Sequence, residues 1–223
     1  MATQDKSLDE NMNSGNIDKV GNSRFNWKQG FALDFSLMDG SSRSAKPTIR
    51  RLLDMRAMYD DQAAADEILA TANPVVYEFY ELGAPASDGD LGFGTSIVYP
   101  GKVGVEYFMT KGHFHSILDT AEVYYCLSGQ GIMLLESPEG DWSAQVFEPG
   151  QAVYVPPRYA HRSINTGNEK LVTFFTYRAD AGHDYGTIES RGFRCLVVEQ
   201  DGQPAVRPNR RWSEPNPEQL ELT

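Results

Sequence analysis

The chain has 223 residues, 40% of them hydrophobic and 11% aromatic, which suits a single globular domain with its own core. With 31 acidic against 20 basic residues its formal charge is -11, so nucleic acid and anionic membrane surfaces are repelled and an anionic small molecule needs a locally positive pocket. No stretch approaches the roughly 20 apolar residues of a membrane span, and two cysteines, Cys126 and Cys195, are too few for a disulfide framework and read as buried thiols.

Residues 1–45 mix Asn, Ser, Asp and Gly with scattered Phe25, Trp27, Phe31, Phe35 and Leu37, a pattern too broken for a helix or a long strand. They predict an N-terminal arm, partly flexible, that lies on the domain. Met1 to Gly15 is polar and lacks the apolar core of a secretion signal, so the protein is expected in the cytoplasm. From Thr48 to Ala72 apolar residues recur near helical spacing (Ile49, Leu52, Leu53, Met55, Met58, then Ala63 to Ala65, Ile68 and Leu69), predicting two short helices ended by Asn73-Pro74.

Past Pro74 the chain reads as strands: Val75 to Glu81, Gly92 to Tyr99, Val103 to Thr110, Glu122 to Leu127, Ile132 to Glu136, Ala152 to Val155, Leu171 to Tyr177 and Phe193 to Glu199. Short runs rich in Val, Tyr, Phe and Thr between Gly, Pro, Asp and Asn turns predict a β-sandwich or small barrel. The stretch from Pro204 to Thr223 is polar and Pro-rich and predicts an extended or disordered tail.

Three of the 4 histidines fall in one constellation, His113-Phe114-His115, Glu122 and His161. On a strand, residues two apart share a face, so His113 and His115 aim together while Phe114 faces away. Leu118-Asp119-Thr120 predicts a turn that returns Glu122 toward the two histidines across a strand pair, and His161 opens a later strand after the stiff Pro156-Pro157 corner. A lone His-x-His is more often surface or satisfied core than a ligand pair; Glu122 and His161 tip the balance toward a metal. Three imidazoles and a carboxylate suit Fe²⁺, Mn²⁺, Zn²⁺, Ni²⁺ or Co²⁺, and ligand type alone does not choose among them.

The pattern resembles the two short motifs of the cupin superfamily, with Glu122-x6-Gly129 closing the first and Gly150-x5-Pro156-x4-His161-x3-Asn165 forming the second. Six residues rather than three or four separate His115 from Glu122, and Arg158 stands where glycine is usual. The flanking blocks Asn73-Pro-Val-Val-Tyr-Glu78, Tyr99-Pro-Gly-Lys-Val-Gly104, Thr110-Lys-Gly-His-Phe-His115, Ala121-Glu-Val-Tyr124, Ala160-His-Arg162 and Ala179-Asp-Ala-Gly-His-Asp-Tyr-Gly186 are similar to the cupin-type glucose-6-phosphate isomerases, from about Arg51 to Trp212.

That resemblance implies a mainly β fold, a cupin β-barrel or jelly roll (double-stranded β-helix) with short N-terminal helices, over residues 46–203. It implies one divalent metal ion per subunit, with Fe²⁺ first among the candidates, held by His113, His115, Glu122 and His161. The implied reaction is metal-dependent interconversion of glucose 6-phosphate and fructose 6-phosphate through an enediol, with Glu122 as base, or by a direct hydride shift that needs no such base. His183, with Tyr185 two residues on, is the candidate for opening the sugar ring and Tyr124 a further catalytic candidate; Ser96, Thr110, Lys111, Gly112 and Tyr177 are the candidates for the phosphate, and Tyr185 for binding the substrate. By spacing alone His183 reads as a loop histidine, Tyr124 as packing, Ser96 and Thr110 as ordinary strand residues and Lys111 as a solvated side chain. A metal-dependent cupin oxygenase and a non-catalytic sugar-binding cupin are the competing readings, and a homodimer built on Val75 to Tyr80 and the N-terminal arm is expected.

Overall fold

The structure, a computed structural model, describes residues 26–82, 87 and 89–212. By its contacts the chain divides into Met1–Phe31 and Ala32–Thr223. Of the first unit the described part is a turn in which Asn26 O accepts from Gln29 N at 2.9 Å and the Trp27 and Phe31 rings meet edge-on at 5.1 Å. Most of the expected arm, residues 1–25, lies outside the described residues.

The second unit opens with irregular chain whose Phe35 ring meets Phe93 and Phe174 and whose Gly40 carbonyl accepts from the buried Thr95 hydroxyl. A strand that periodicity does not reveal, β1 (Thr48–Arg51), comes before the helices. Then follow α1 (Leu52–Met55), a 3-10 turn over Arg56–Met58 and α2 (Gln62–Leu69). Asp61 caps α2 by accepting from Ala64 N at 2.9 Å, and Asn73-Pro74 ends the helical stretch as predicted, Pro74 O accepting from Leu52 N.

The sheets then build in chain order. Among the described residues one six-stranded antiparallel sheet runs β1, β2 (Val75–Leu82), β3 (Leu91–Val98), β11 (Leu171–Arg178), β6 (Glu122–Ser128), β9 (Ala152–Val155). A three-stranded sheet runs β10 (Ala160–Asn165), β7 (Gly131–Glu136), β8 (Trp142–Phe147), and a four-stranded one runs β13 (Gln203–Pro208), β12 (Cys195–Gln200), β5 (Glu106–Tyr107), β4 (Lys102–Val103). A short helix, α3 (Gly186–Arg191), precedes β12. The fold is the mainly β barrel with short N-terminal helices that the sequence predicts, its core shared by Val155 and Cys126 of the large sheet and Met133, Phe147 and Ile164 of the smaller one.

Several elements differ from expectation for local reasons. The strand expected over Val103 to Thr110 folds back as β4 and β5, because Gly104 takes φ 56° and sets Val103 opposite Glu106. β8 and α3 carry mixed polar and apolar residues that give no clean period. The Pro-rich stretch after Gly202 starts as β13, whose prolines sit on a sheet edge where the missing N–H costs nothing. Both cysteines are buried and unbridged, with their thiols pushed up to about 11 by burial.

Candidate metal centre and active site

His113 and His115 lie on no regular strand. Residues 108–113 pair irregularly with β10: Asn165 N donates to Phe108 O, Thr110 N to Ser163 O and His161 N to His113 O. Glu122 therefore reaches the histidines from the opposite sheet, not from a neighbouring strand as the motif spacing suggests. The end result is still a cluster: one ligand atom from each of His113, His115, Glu122 and His161 falls within 4.8 Å of the others. Asn165 at the end of the second motif braces the turn below, its Nδ2 donating to Val98 O (2.8 Å) and Glu169 O (2.7 Å).

The donor set fits a divalent cation. His115 Nε2 and His161 Nε2 stand 3.1 and 3.0 Å from the same carboxylate oxygen, Glu122 Oε2. His113 Nε2 and both His161 nitrogens are buried with no hydrogen-bond partner. Orphaned polar atoms of this kind are costly unless something compensates them, and three converging imidazoles beside a carboxylate are compensated by a cation. Burial, reinforced by His161 and His183, drives the His113 pKa well below the usual histidine value and keeps its lone pair available. Burial alone would raise the Glu122 carboxyl; the facing His161 and His115 imidazoles, with His113, outweigh it and hold it below the carboxylate range.

Thr120, which the sequence reading leaves in a turn, fixes the His115 ring. Its hydroxyl donates to Ile117 O at 2.7 Å, so the 2.8 Å contact with His115 Nδ1 must be donated by the imidazole, with Thr120 O a second acceptor at 3.2 Å. Nδ1 thus carries the proton and Nε2 points its lone pair at the cluster.

The cluster opens onto a solvent-facing cavity with about 540 Å³ of empty space, open solvent at its mouth included. Glu122, Tyr124, Ser96, Thr110, Lys111, Gly112, Tyr177, His183 and Tyr185 all line it, so the structure brings the sequence candidates together, with His115 buried just behind. His183 is placed by backbone pairing of Asp184 with Phe114 (2.8 and 3.1 Å); its ring lies 4.5 Å from His113 and stacks on Tyr185 at 5.8 Å. Burial lowers the His183 pKa, against the pull of Glu81 and Glu122. Burial, then the Glu122 charge, hold the Tyr124 phenol well above its ordinary value, and burial pushes Tyr185 up to about 12.

Thr110 Oγ1 accepts from Ser163 N at 3.1 Å, which leaves its own hydrogen free to donate. The turn that follows is clamped: Arg162, fully buried and 4.4 Å over the Phe193 ring, donates to Lys111 O from Nε (3.2 Å) and Nη2 (2.6 Å). Gly112 takes φ 75°, and a Cβ there would fall 2.6 Å from Phe193 and 2.9 Å from His161 O. Lys111 Nζ pairs with Glu189 at 2.5 Å and sits 5.6 Å over Tyr185, at the rim.

The corner before His161 explains a departure from the cupin pattern. Arg158 adopts φ 73°, the left-handed region where glycine is unstrained, and its guanidinium turns out to Glu139 at 2.7 Å instead of into the cavity. Tyr77, Phe79, Glu81 and Phe175 also line the cavity and were not singled out from sequence. The available signal was alternation: Tyr77, Phe79 and Glu81 share one face of β2.

Comparison with known proteins agrees with this geometry. The family model for glucose-6-phosphate isomerase matches residues 49–214. A glucose-6-phosphate isomerase of Thermococcus litoralis is 47% identical over 186 residues, 83% of this chain and 98% of its own; one from Sinorhizobium medicae is 43% identical over 155 residues, 69% of this chain and 72% of its own. Among solved structures an oxalate oxidase overlaps 46% of this chain and 49% of its own at 12% identity, with a TM-score of 0.38, too low to bear on function. By a family match across most of its length and by such relatives, this chain belongs to the glucose-6-phosphate isomerase family.

Proposed function

We propose that the protein is a metal-dependent aldose–ketose isomerase that interconverts glucose 6-phosphate and fructose 6-phosphate. The observation that carries this reading is the opening of the buried His113, His115, Glu122 and His161 cluster onto a cavity lined by hydroxyls and acid–base groups, in a chain of this family. When bound, a divalent cation supplies Lewis-acid polarisation of the substrate carbonyl and offsets the charge of the developing oxyanion. Fe²⁺ is the first candidate, ahead of Mn²⁺, Zn²⁺, Ni²⁺ and Co²⁺.

In this reading Glu122 moves the proton between C2 and C1 through an enediol. Its double duty as ligand and base is eased by the asymmetry of its contacts, both imidazoles meeting Oε2. Oε1 is the oxygen for the proton, and a positioned base of this kind contributes on the order of 10² to 10⁴ in rate. His183, in the cavity beside His113, serves the opening of the sugar ring, and Tyr124 holds the carboxylate or a substrate hydroxyl. Ser96, Thr110 and the Lys111-Gly112 turn receive the phosphate, while Tyr177 and Tyr185 form the wall around the substrate.

The test is a coupled assay on fructose 6-phosphate with and without chelator, alongside an oxygen electrode. Chelator-sensitive turnover without oxygen uptake is expected. Oxygen uptake would point to an oxygenase, and neither signal to a sugar-binding protein. Loss of label to solvent from C2-deuterated glucose 6-phosphate supports the enediol over a direct hydride shift. We further propose a cytoplasmic homodimer through Val75 to Tyr80 and the N-terminal arm, for which a dimer mass by light scattering is the check.

A further inference from the structure

Glu81 brings a second carboxylate into the cavity, opposite in sign to what a sugar phosphate needs. It follows Tyr77 and Phe79 on the inward face of β2, and it accepts a hydrogen bond from the Tyr177 hydroxyl. A phenol has one hydrogen, and a carboxylate offers only acceptors, so the direction of that bond is fixed. With its hydrogen given to Glu81, the hydroxyl of Tyr177, a residue that lines the cavity, has lone pairs alone left to offer.

The Tyr177 ring has little freedom to escape this arrangement. It lies against Gly92, where a Cβ would come within 2.6 Å of Cζ, and it packs near-parallel to His115 (25°, centroids 6.1 Å apart) and Phe175 (28°, 6.1 Å). Phosphate oxygens are acceptors and carry negative charge, so they find neither a donor nor a favourable charge here. A sugar hydroxyl has a hydrogen to give. Thr110 has the opposite polarity: its oxygen is occupied by Ser163 N and its hydrogen is free.

We infer that Glu81 is a positioning residue that commits the Tyr177 hydroxyl as an acceptor for a sugar hydroxyl, leaving the phosphate to Ser96, Thr110 and the Lys111-Gly112 turn. The inference rests on the sugar-phosphate reading above and says which end of the substrate faces which wall.

The experiment compares wild type, Glu81→Ala, Glu81→Gln, Tyr177→Phe and the Glu81→Ala/Tyr177→Phe double variant, all metal-loaded. KM and kcat for fructose 6-phosphate, metal content and inhibition by inorganic phosphate are measured for each. Glu81→Ala and Tyr177→Phe should each raise KM about 5- to 10-fold, the size of one hydrogen bond, with the loss falling on KM more than on kcat. The double variant should be no worse than Tyr177→Phe, since Glu81 acts through that hydroxyl. Glu81→Gln, which retains an acceptor oxygen, should recover most of the loss, and the inhibition constant of inorganic phosphate should move less than about two-fold. Additive single effects, an unchanged KM in Glu81→Ala, or a phosphate inhibition constant that shifts in step with KM would overturn the inference. Absence of wild-type turnover would instead sink the isomerase reading. Calorimetric binding of fructose 6-phosphate then decides on Glu81 alone: weaker binding by Glu81→Ala supports its role and equal binding refutes it.

Discussion

Replacing Thr120 by valine tests whether the metal cluster depends on a tautomer set outside it. Valine keeps the branched shape and removes the hydroxyl that relays His115 Nδ1 to Ile117 O. The backbone carbonyl of Thr120 remains 3.2 Å from Nδ1, so one weaker acceptor survives and the ring is loosened, not released. Partners of this kind are typically worth 10- to 100-fold in metal affinity, and the surviving acceptor places the effect at the lower end, about 10-fold or about 1.4 kcal/mol. The assay is competition with a calibrated chelator on purified protein, which reads the dissociation constant without reference to turnover. Thermal unfolding of the metal-free protein should fall much less, since one neutral hydrogen bond nets roughly 1 kcal/mol. An unchanged metal dissociation constant in a folded Thr120→Val protein would refute the reasoning, because His115 would then hold its lone pair on target unaided.

Glu106 makes a prediction about pH. Burial pushes its carboxyl up to about 7 against the hydrogen bond from Asp60 N and the nearby Arg162 and Arg207, so the folded state holds a proton that the unfolded chain releases near 4.5. Stability is therefore unpenalised below about pH 4.5 and falls as pH rises toward 7, by about 3 kcal/mol in total; denaturant unfolding should find Glu106→Gln more stable than wild type at pH 8 and equal to it at pH 4. Gly112→Ala forces a Cβ onto Phe193 and the His161 carbonyl at positive φ and should cost about 2 kcal/mol or more, read as a lowered unfolding midpoint together with a raised KM. His183→Ala should retain wild-type metal content and lose at least about 10-fold in kcat; full activity would remove it from the mechanism.

Much of the site was legible because its residues are chemically rare and locally patterned. Three of the four histidines, the glutamate of the first motif and the proline corner before His161 are visible at fixed spacings, and the structure brings the same four ligands within 4.8 Å. What spacing misassigned was the neighbour relation. Glu122 reaches His113 and His115 across two sheets because residues 108–113 bond to β10, and which strands pair at long range leaves no mark in a local window. Thr120 and Glu81 escaped for a related reason: each is an ordinary polar residue whose role depends on one atom brought to it from elsewhere, Nδ1 of His115 or Oη of Tyr177. β1 and α3 were missed because short elements give too few residues to establish a period. Arg158 was legible as an oddity, and only its positive φ explains why glycine is usual there.

The candidate ligands come from chain segments as far apart as His113 and His161, and of the imidazoles that would hold the cation those of His115 and His161 are buried and that of His113 lines the cavity. For the proposed metal, a nascent chain would lack the full donor set until β10 has been made and the two sheets have met, so loading would follow folding and proceed through the cavity. An ion held there would tie together segments distant in the chain. At a free concentration one hundred times its dissociation constant it adds about 2.7 kcal/mol to the stability of the whole barrel. If the proposed metal dependence holds, metal starvation would shorten the lifetime of the protein in the cell as well as silence it, and substrate bound in the cavity would slow the loss of the ion.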